Sequence, residues 1–320
     1  MEMFKLIPTV ADYIWGGTRL IDEYGIKTDK NPAAEAWVLS CHKAGPSTVE
    51  AGDLAGKTLQ EIYESNKEIC GTNGNKFEFF PILIKLIDAK NNLSIQVHPD
   101  DELAAERHNS YGKTEMWYIA SCREGASIYI GFKNPNITRE EYLSAVNEDR
   151  LPEIMNRVEV KAGDVYFIPA GTIHALGSGV NVLEIQQTSD ITYRIYDWDR
   201  VDAEGKGREL HTALAVDAID FEADAELLHR RYELTSGGEA KVIESPYFTM
   251  VMHDIAGAKE LDRAMLDSFV IYIAIKGDMN IIAEGVSETL KEGEVVLIPA
   301  EMGDIRIEGT GRVMEVYIGK

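Results

Sequence analysis

An internal repeat of a turn–strand–turn sequence constrains the fold of this chain more than any other feature. Residues 161–171 read KAGDVYFIPAG, and residues 291–301 read KEGEVVLIPAE. In each copy a glycine precedes a short apolar run of strand length, and a proline ends it. A weaker match pairs residues 118–120 with residues 272–274, at a spacing that is larger by about the length of residues 133–157. The sequence therefore predicts two copies of one β unit, with an insertion in the first.

Strand patterns outnumber helical ones. Leu93–His98 alternates, so Ser94, Gln96 and His98 share one face of a predicted strand. Further strands are predicted at Phe79–Ile87, Met116–Ala120, Ser127–Phe132, Val165–Pro169 and Val182–Gln186. Helices are predicted at Leu59–Ile69, Arg139–Val146 and His211–Phe221, the second with Thr138 and Glu141 as a capping box. The predicted fold class is mostly β, with short helical insertions in the N-terminal half.

The length favours two domains, because a single hydrophobic core rarely grows to serve 320 residues. Residues 235–241 read TSGGEAK, which is typical of a loop. We therefore expect a catalytic unit at residues 1–225 and a second unit at residues 226–320.

Charge and cysteine content limit the partners and the compartment. A formal net charge of −22 disfavours nucleic acid and anionic membranes as partners. The chain has three cysteines, Cys41, Cys70 and Cys122. Their odd number argues against a set of disulfides and their spacing is not typical of a metal site, which favours a reducing cytoplasm. The first residues are not typical of a signal peptide, because no basic region is followed by an apolar core. No apolar run approaches the roughly 20 residues that span a bilayer. We expect a cytoplasmic monomer or small homo-oligomer.

A metal site is predicted from three separate positions. Residues 163–174 follow the pattern Gly, five residues, Pro-x-Gly, two residues, His, so that a tight turn leads into a strand beginning at His174. Gln96 and His98 lie about 6–7 Å apart along one strand face, close enough to reach one ion. With Glu115 they form a two-histidine, one-carboxylate set that suits catalytic zinc, and the Gln96 amide could complete it. The same set also suits the iron site of non-haem iron oxygenases.

The second repeat lacks these ligands. Asp304 stands where the first repeat has His174, and nothing like Gln96-Val97-His98 precedes it. We therefore expect one metal ion per chain, bound by the first unit.

These motifs resemble those of the cupin superfamily, and the whole chain resembles the type I phosphomannose isomerases (mannose-6-phosphate isomerases), in particular their short members. The resemblance runs over nearly the whole sequence. It rests on Trp15-Gly16-Gly17, Glu35-Ala36-Trp37, Pro81–Ile87, Leu93–Pro99, Gly112–Glu115, the His174 motif, Glu184 through Arg194 to Asp197, and Ser245–Phe248. The chain departs from longer members in lacking a large helical domain.

The resemblance implies a double cupin, made of two jelly-roll-like barrels, that binds zinc and interconverts mannose 6-phosphate and fructose 6-phosphate. The alternatives are another cupin metalloenzyme of the non-haem iron oxygenase type and a non-catalytic sugar-phosphate-binding cupin. It implies that the zinc ligands are His98, Glu115 and His174, with Gln96 as a possible fourth. Arg194 corresponds to an active-site arginine of that family. The residues that the resemblance places in the substrate pocket are Lys85, Lys113, Glu184, Trp15 and Glu35. Of these, Glu35 matches the family less securely.

An aldose–ketose isomerisation needs a base and a means of stabilising an enediolate. Zinc or Arg194 could stabilise the charge. Glu184 could act as the base, or Lys85 if its surroundings lower its pKa. The substrate phosphate needs a local positive cluster in an acidic protein, and the candidates are Arg194, Arg200, Lys206, Arg208, Lys113 and Lys85.

Overall fold

The structure, a computed structural model, describes residues 2–201 and 204–320. Its strands are β1 (Phe4–Ile7), β2 (Thr9–Ala11), β3 (Glu35–Leu39), β4 (Thr48–Val49), β5 (Ile82–Ala89), β6 (Ile95–Val97), β7 (Glu115–Cys122), β8 (Ser127–Phe132), β9 (Met155–Glu159), β10 (Val165–Ile168), β11 (His174–Leu176), β12 (Val180–Gln187), β13 (Tyr193–Tyr196), β14 (Glu239–Glu244), β15 (Thr249–Asp262), β16 (Val270–Lys276), β17 (Met279–Ala283), β18 (Val286–Leu290), β19 (Val295–Ile298) and β20 (Asp304–Tyr317).

The helices are short and lie mostly in the N-terminal half. They are α1 (Arg19–Asp22), α2 (Leu59–Ser65), α3 (Gly71–Gly74), α4 (Asp101–His108), α5 (Arg139–Asn147), α6 (Leu151–Ile154) and α7 (Thr212–Ala218), with 3₁₀ turns at Lys67–Cys70, Ala225–Leu228 and Ala264–Leu266. None of the helices in the described residues is both long and apolar enough to cross a membrane.

The first unit consists of two antiparallel sheets that face each other. One has the order β10-β7-β12-β5-β3-β2, and the other has the order β13-β6-β11-β8-β9. Neighbouring strands are mostly distant in sequence, as in a jelly roll, and the fold is a cupin. Side chains from both sheets, such as Trp117 and Ile128, form the apolar core between them.

The second unit is one curled sheet with the order β14-β15-β20-β16-β19-β1-β4, in which β17 also pairs with β20 and with β18. Two of its strands, β1 and β4, come from the N-terminal end of the chain, and β1 pairs with β19 through Phe4 and Leu297. The division of the chain between residues 225 and 226 stays a prediction. The pairing of β1 with β19 ties the start of the first unit to the second.

The repeat corresponds to the same pair of antiparallel strands in both units. In the first unit β7 pairs with β10, and in the second unit β16 pairs with β19. Between these strands each unit has an antiparallel pair, β8–β9 in the first and β17–β18 in the second, and α5 and α6 lie between β8 and β9. The structure therefore places two helices within the predicted insertion at residues 133–157, but residues 155–157 belong to β9.

Local sequence signals predicted the helix starts better than the helix ends. The Thr138 hydroxyl accepts from the Glu141 N–H and the Glu141 carboxylate accepts from the Thr138 N–H, which confirms the capping box. The helix predicted at Leu59–Ile69 ends earlier, at Ser65, because Asn66 turns extended and its side chain begins a 3₁₀ turn instead. The third predicted helix shortens to Thr212–Ala218, where Ile219 becomes extended.

An apolar core joins the two units. It contains residues from the first unit, such as Phe80 and Leu86, and residues from the second, such as Phe269 and Ile271. The Phe80 and Phe269 rings stack at a centroid distance of 4.9 Å, and both side chains are fully buried. Burial of aromatic side chains across this boundary holds the two units together.

Candidate metal centre and active-site cavity

The three predicted ligands come from both sheets of the first unit. His98 directly follows β6, and His174 begins the neighbouring strand β11, whose pairing sets His174 opposite Gln96. Glu115 begins β7 in the facing sheet. The turn before His174 needs Gly171, because its backbone is left-handed, with a φ of 87°. The glycine of the sequence motif thus allows the turn that precedes a ligand.

The side chains of these residues converge. One donor atom from each of His98, Glu115 and His174 lies within 4.8 Å of the others. Glu115 Oε1 is 3.2 Å from His174 Nε2, and Glu115 Oε2 is 3.5 Å from His98 Nε2. All three side chains are buried. Among the described residues this is the one cluster of His, Cys, Asp or Glu side chains with such geometry.

Backbone carbonyls fix the orientation of both imidazoles. His98 Nδ1 donates to the Ile191 carbonyl and His174 Nδ1 donates to the Thr172 carbonyl, each at 2.8 Å. In a neutral imidazole the other nitrogen then carries the lone pair. Both Nε2 atoms therefore direct their lone pairs to the space beside Glu115, which is the arrangement found around metal-bound histidines.

The electrostatics of the cluster fit a divalent cation. Burial lowers the pKa of His174 to about 4 and holds the pKa of His98 well below its usual value, so both rings are neutral. Burial, followed by the charge of Glu184, raises the pKa of Glu115. Glu115 Oε1 is buried and receives no hydrogen bond from the described residues. Two neutral imidazoles and a desolvated carboxylate can therefore hold a metal ion, which would compensate the buried negative charge.

Gln96 and Lys113 border the same centre. Gln96 Nε2 is 3.3 Å from His174 Nε2 and 3.5 Å from His98 Nε2. Because the two ends of an amide are interchangeable by a flip, the same position suits Oε1 as a fourth donor. Lys113 Nζ donates to Glu115 Oε2 at 2.7 Å and is 3.2 Å from His98 Nε2. Lys113 therefore adds a positive charge at the edge of the centre.

A row of polar and aromatic side chains crosses the sheet next to the centre. Pairing between strands sets Glu184 opposite both Trp117 and Lys85, and sets Lys85 opposite Trp37. Trp117 Nε1 donates to Glu184 Oε2 at 2.8 Å. Lys85 Nζ is 3.5 Å from Glu184 Oε1, 3.5 Å from Glu35 Oε2, and 5.0 Å from the Trp37 ring centroid.

The two central groups of this row keep opposite charges. Burial by itself would lower the pKa of Lys85, but Glu35 and Glu184 outweigh it and raise that pKa. Burial would raise the pKa of Glu184, but Lys113 and Lys85 outweigh it and lower that pKa. Glu184 Oε1 receives no hydrogen bond from the described residues. The row therefore presents an ammonium group and a carboxylate oxygen with spare acceptor capacity.

Arginines form the opposite side of the cavity. Strand pairing sets Arg194 opposite Gln96. Arg194 Nη1 donates to the Glu209 carbonyl at 2.9 Å, while its buried Nε has no partner among the described residues. Arg208 donates to Asp197 through Nε at 2.8 Å and through Nη2 at 2.6 Å. Arg200 also donates to Asp197 and to the Asn92 carbonyl, so its charge serves the fold of this loop.

These side chains line one cavity of about 240 Å³. The lining residues are Tyr13, Trp15, Glu35, Trp37, Lys85, Ile87, Leu93, Ser94, Gln96, Lys113, Glu184, Asp190, Thr192, Arg194 and Arg208. Five residues predicted as catalytic or substrate-binding thus face one space: Lys85, Lys113, Glu184, Arg194 and Trp15. The predicted ligand Gln96 faces it too, and its contacts with His98 and His174 join the cavity to the metal cluster.

Sequence reasoning missed three residues that organise the cavity. Trp117 and Trp37 each lie two positions after a carboxylate, Glu115 and Glu35, so strand alternation could have placed them on the same face. Trp37 was singled out only as the end of one matching stretch, and Asp197 only as the end of another. No local pattern indicates that it binds two arginines, because those contacts depend on the path of a long loop.

Comparisons with known proteins agree over the whole chain. Residues 3–125 match "Phosphomannose isomerase type I, catalytic domain", and residues 239–318 match "Mannose-6-phosphate isomerase, cupin domain". The chain is 40% identical over 315 residues to the Bacillus subtilis protein YvyI, with 98% of both chains covered. It is 36% identical over 309 residues to the mannose-6-phosphate isomerase ManA of B. subtilis, with 94% of both covered. A crystal structure of the mannose 6-phosphate isomerase from B. subtilis superposes with a TM-score of 0.90, 37% identity and 99% of both chains.

We predict that His174→Ala loses bound metal, because it removes one of the three converging donors and leaves Glu115 without its closest imidazole. Metal analysis of the purified variant after dialysis measures the effect. His229→Ala is the matched control, since His229 lies outside the cluster. Full metal occupancy in His174→Ala would overturn the ligand assignment.

Proposed function

The chain belongs to the type I phosphomannose isomerases, and on that premise we propose that it interconverts mannose 6-phosphate and fructose 6-phosphate with one zinc ion held by His98, Glu115 and His174. One observation carries the proposal. The buried two-histidine, one-carboxylate cluster borders a cavity that also contains Glu184, Lys85 and Arg194. Binding, proton transfer and charge stabilisation are therefore all available at one place.

The donor set supports zinc. Two neutral nitrogens and one carboxylate oxygen, with room for Gln96, are a common set for catalytic zinc. When bound, such an ion supplies Lewis-acid stabilisation to a sugar oxygen at the reacting carbons. The residues themselves keep both imidazoles neutral, and Lys113 donates to Glu115 and so favours its ionised form against the effect of burial.

Glu184 is the better candidate for the base that moves a proton between C2 and C1. Its Oε1 is free to accept, and its Oε2 is held by Trp117, which fixes the carboxylate in the cavity wall. Lys85 remains an ammonium group between Glu35 and Glu184, so it cannot accept a proton at neutral pH. Lys85 instead donates to the sugar oxygens and keeps Glu184 ionised.

Arg194 and Lys113 stabilise the enediolate. Arg194 lies opposite Gln96 in the sheet, on the metal side of the cavity, and one of its N–H groups has no partner among the described residues. A donor that is already positioned in a buried cavity stabilises a developing oxyanion without reorganisation. Lys113 acts from the other side, through its contact with Glu115.

The arginine side of the cavity suits the phosphate. Burial, followed by the charge of Arg208, lowers the pKa of Arg194, which reflects two neighbouring guanidinium groups. A phosphate bound on the Arg208 side of this pair relieves that repulsion, forms charge-assisted hydrogen bonds and leaves Arg194 for the reacting oxygens. Trp15, stacked on Tyr13 at 5.4 Å, forms an apolar wall for the sugar. This local positive charge offsets the net charge of −22 that otherwise repels the substrate.

The remaining expectations from the sequence stay proposals. They are a single metal ion per chain, a metal-free second unit, a cytoplasmic location, the absence of a nucleic-acid partner, and a monomer or small homo-oligomer.

We predict that the purified protein converts mannose 6-phosphate to fructose 6-phosphate, and that a chelator lowers the rate by at least about 100-fold, because Lewis-acid stabilisation is worth several kcal/mol. A coupled assay measures the rate before chelation, after chelation and after re-addition of zinc. Restoration by zinc supports the proposal. Iron content with oxygen consumption, or full activity without metal, would contradict it.

We predict that Arg194→Ala keeps its metal and fold but lowers kcat about 10²- to 10³-fold, the loss expected for a positioned oxyanion donor. Steady-state kinetics and metal analysis measure the two effects. Arg150→Ala is the matched control, because Arg150 lies on the surface and pairs with Glu148. Near-normal turnover in Arg194→Ala would remove this residue from the mechanism.

We predict that Glu184→Gln lowers kcat about 10²- to 10⁴-fold and abolishes exchange of the substrate C2 hydrogen with deuterated solvent, because the amide cannot accept the proton. Exchange is followed by NMR, with bound metal measured in parallel. If Lys85 were the base, Lys85→Met would abolish exchange and Glu184→Gln would retain it.

A further inference from the structure

Two side chains that belong neither to the ligand cluster nor to the cavity lining connect the segments that carry the predicted metal ligands. They are Thr114 and Gln187, which are 4% and 3% exposed. Thr114 lies between Lys113 and Glu115, and Gln187 is the last residue of β12. The strand pairing of β7 with β12 ends at Glu115 and Gln186, so these two residues extend the contact by one position.

The Gln187 amide bridges three backbone segments. Its Oε1 accepts from the Thr114 N–H at 2.8 Å, and the Thr114 carbonyl accepts from the Gln187 N–H at 3.1 Å. Its Nε2 donates to Asp101 Oδ1 at 2.9 Å, and the same oxygen accepts from the Gly112 N–H at 2.8 Å. One buried amide thus holds the end of β12, the start of β7 and the start of α4 together.

The Thr114 hydroxyl reaches the turn that leads to His174. Its Oγ1 accepts from the Ala170 N–H at 3.2 Å. In the same turn, the Gly171 N–H donates to the His98 carbonyl at 2.9 Å. Direct hydrogen bonds therefore join the segments that contain Glu115, His174 and His98. These bonds do not involve the atoms that would bind the metal.

The loop between His98 and Glu115 is tightly packed, so it cannot adjust easily when these contacts change. The Lys113 N–H donates to the Pro99 carbonyl at 3.1 Å, which closes the loop at its base. Gly112 packs so closely that a Cβ there would lie 2.5 Å from the Asp100 carbonyl carbon. Movement of Thr114 would therefore move Lys113 and Glu115 as well.

From these contacts we propose that Thr114 and Gln187 are positioning residues that set the separation of the metal ligands and the place of Lys113. The inference rests on the proposed metal site. Groups that hydrogen-bond directly to ligand side chains are typically worth 10- to 100-fold in metal affinity or activity, and Thr114 and Gln187 act one step further out, on the segments that carry the ligands. A purely structural hydrogen bond would change the stability of the fold and leave the affinity of the folded protein unchanged.

The test compares Thr114→Val and Gln187→Met with the wild type. Each variant keeps the side-chain size and removes the hydrogen bonds. We expect the zinc dissociation constant, measured by competition with a chromogenic chelator, to rise about 10-fold, the lower end of the range for groups that contact ligands directly. With saturating zinc we expect kcat to fall by more than the change in KM, because Lys113 and Glu115 move relative to the substrate.

Thr188→Val is the matched control, since Thr188 is buried next to Gln187 and its Oγ1 has no hydrogen-bond partner among the described residues. It should keep wild-type zinc affinity. Thr114→Ser keeps the hydroxyl and should also keep the affinity, which covers the case in which Thr114→Val does not fold. Loss of affinity in Thr114→Ser would assign the effect to the methyl group and overturn the proposal, as would wild-type zinc affinity in both Thr114→Val and Gln187→Met.

The outcomes separate this proposal from the proposed activity. If the wild type binds zinc but does not isomerise mannose 6-phosphate, the activity is wrong, and the zinc dissociation constants still decide whether Thr114 and Gln187 position the ligands. If the wild type binds no zinc, both proposals fail.

Discussion

The Glu115 carboxylate lies fully buried between two imidazoles. The free-energy cost of burying this charge determines how the surrounding site is arranged. A carboxylate removed from water needs a compensating charge, and Lys113 provides only one direct contact. Both histidines are neutral, with their lone pairs directed at the same place by the Ile191 and Thr172 carbonyls. This incomplete compensation is what makes the cluster suited to hold a cation.

The second unit contains a buried carboxylate, Glu315, whose negative charge is compensated by protein groups alone. On β20, Glu315 lies opposite Tyr272 of β16, much as Glu184 lies opposite Trp117 of β7. Tyr272 and Arg263 donate to Glu315, and His253 Nε2 lies 2.9 Å from it. Burial alone would raise the pKa of Glu315, but the contacts with His253 and Arg263 outweigh it and lower the pKa to about 2. A carboxylate satisfied by protein donors has little to gain from a metal or a substrate, which is consistent with a structural role.

The parts of the site that follow local rules could be predicted from the sequence. His174 follows from a fixed spacing of glycine, proline and histidine, and the shared face of Gln96 and His98 follows from strand alternation. The row of Trp117, Glu184 and Lys85 could not be derived in this way, because it depends on which distant strands pair and in which register. A bulge between Asn181 and Val182 shifts that register, and no signal in the sequence marks it.

The second unit also has a physical connection to the catalytic site. Tyr247, in the Ser245–Phe248 turn, lies against Asp101, and burial together with the charge of Asp101 raises the pKa of that phenol to about 12. Asp101 in turn holds Gly112 and Gln187, which determine where Lys113 and Glu115 lie. The apolar core shared by both units and the pairing of β1 with β19 keep Tyr247 fixed relative to the first unit. The second unit therefore reaches the candidate metal centre through the Tyr247 phenol, which contacts the Asp101 carboxylate of the first unit. This contact gives a physical reason for the two units to stay packed together.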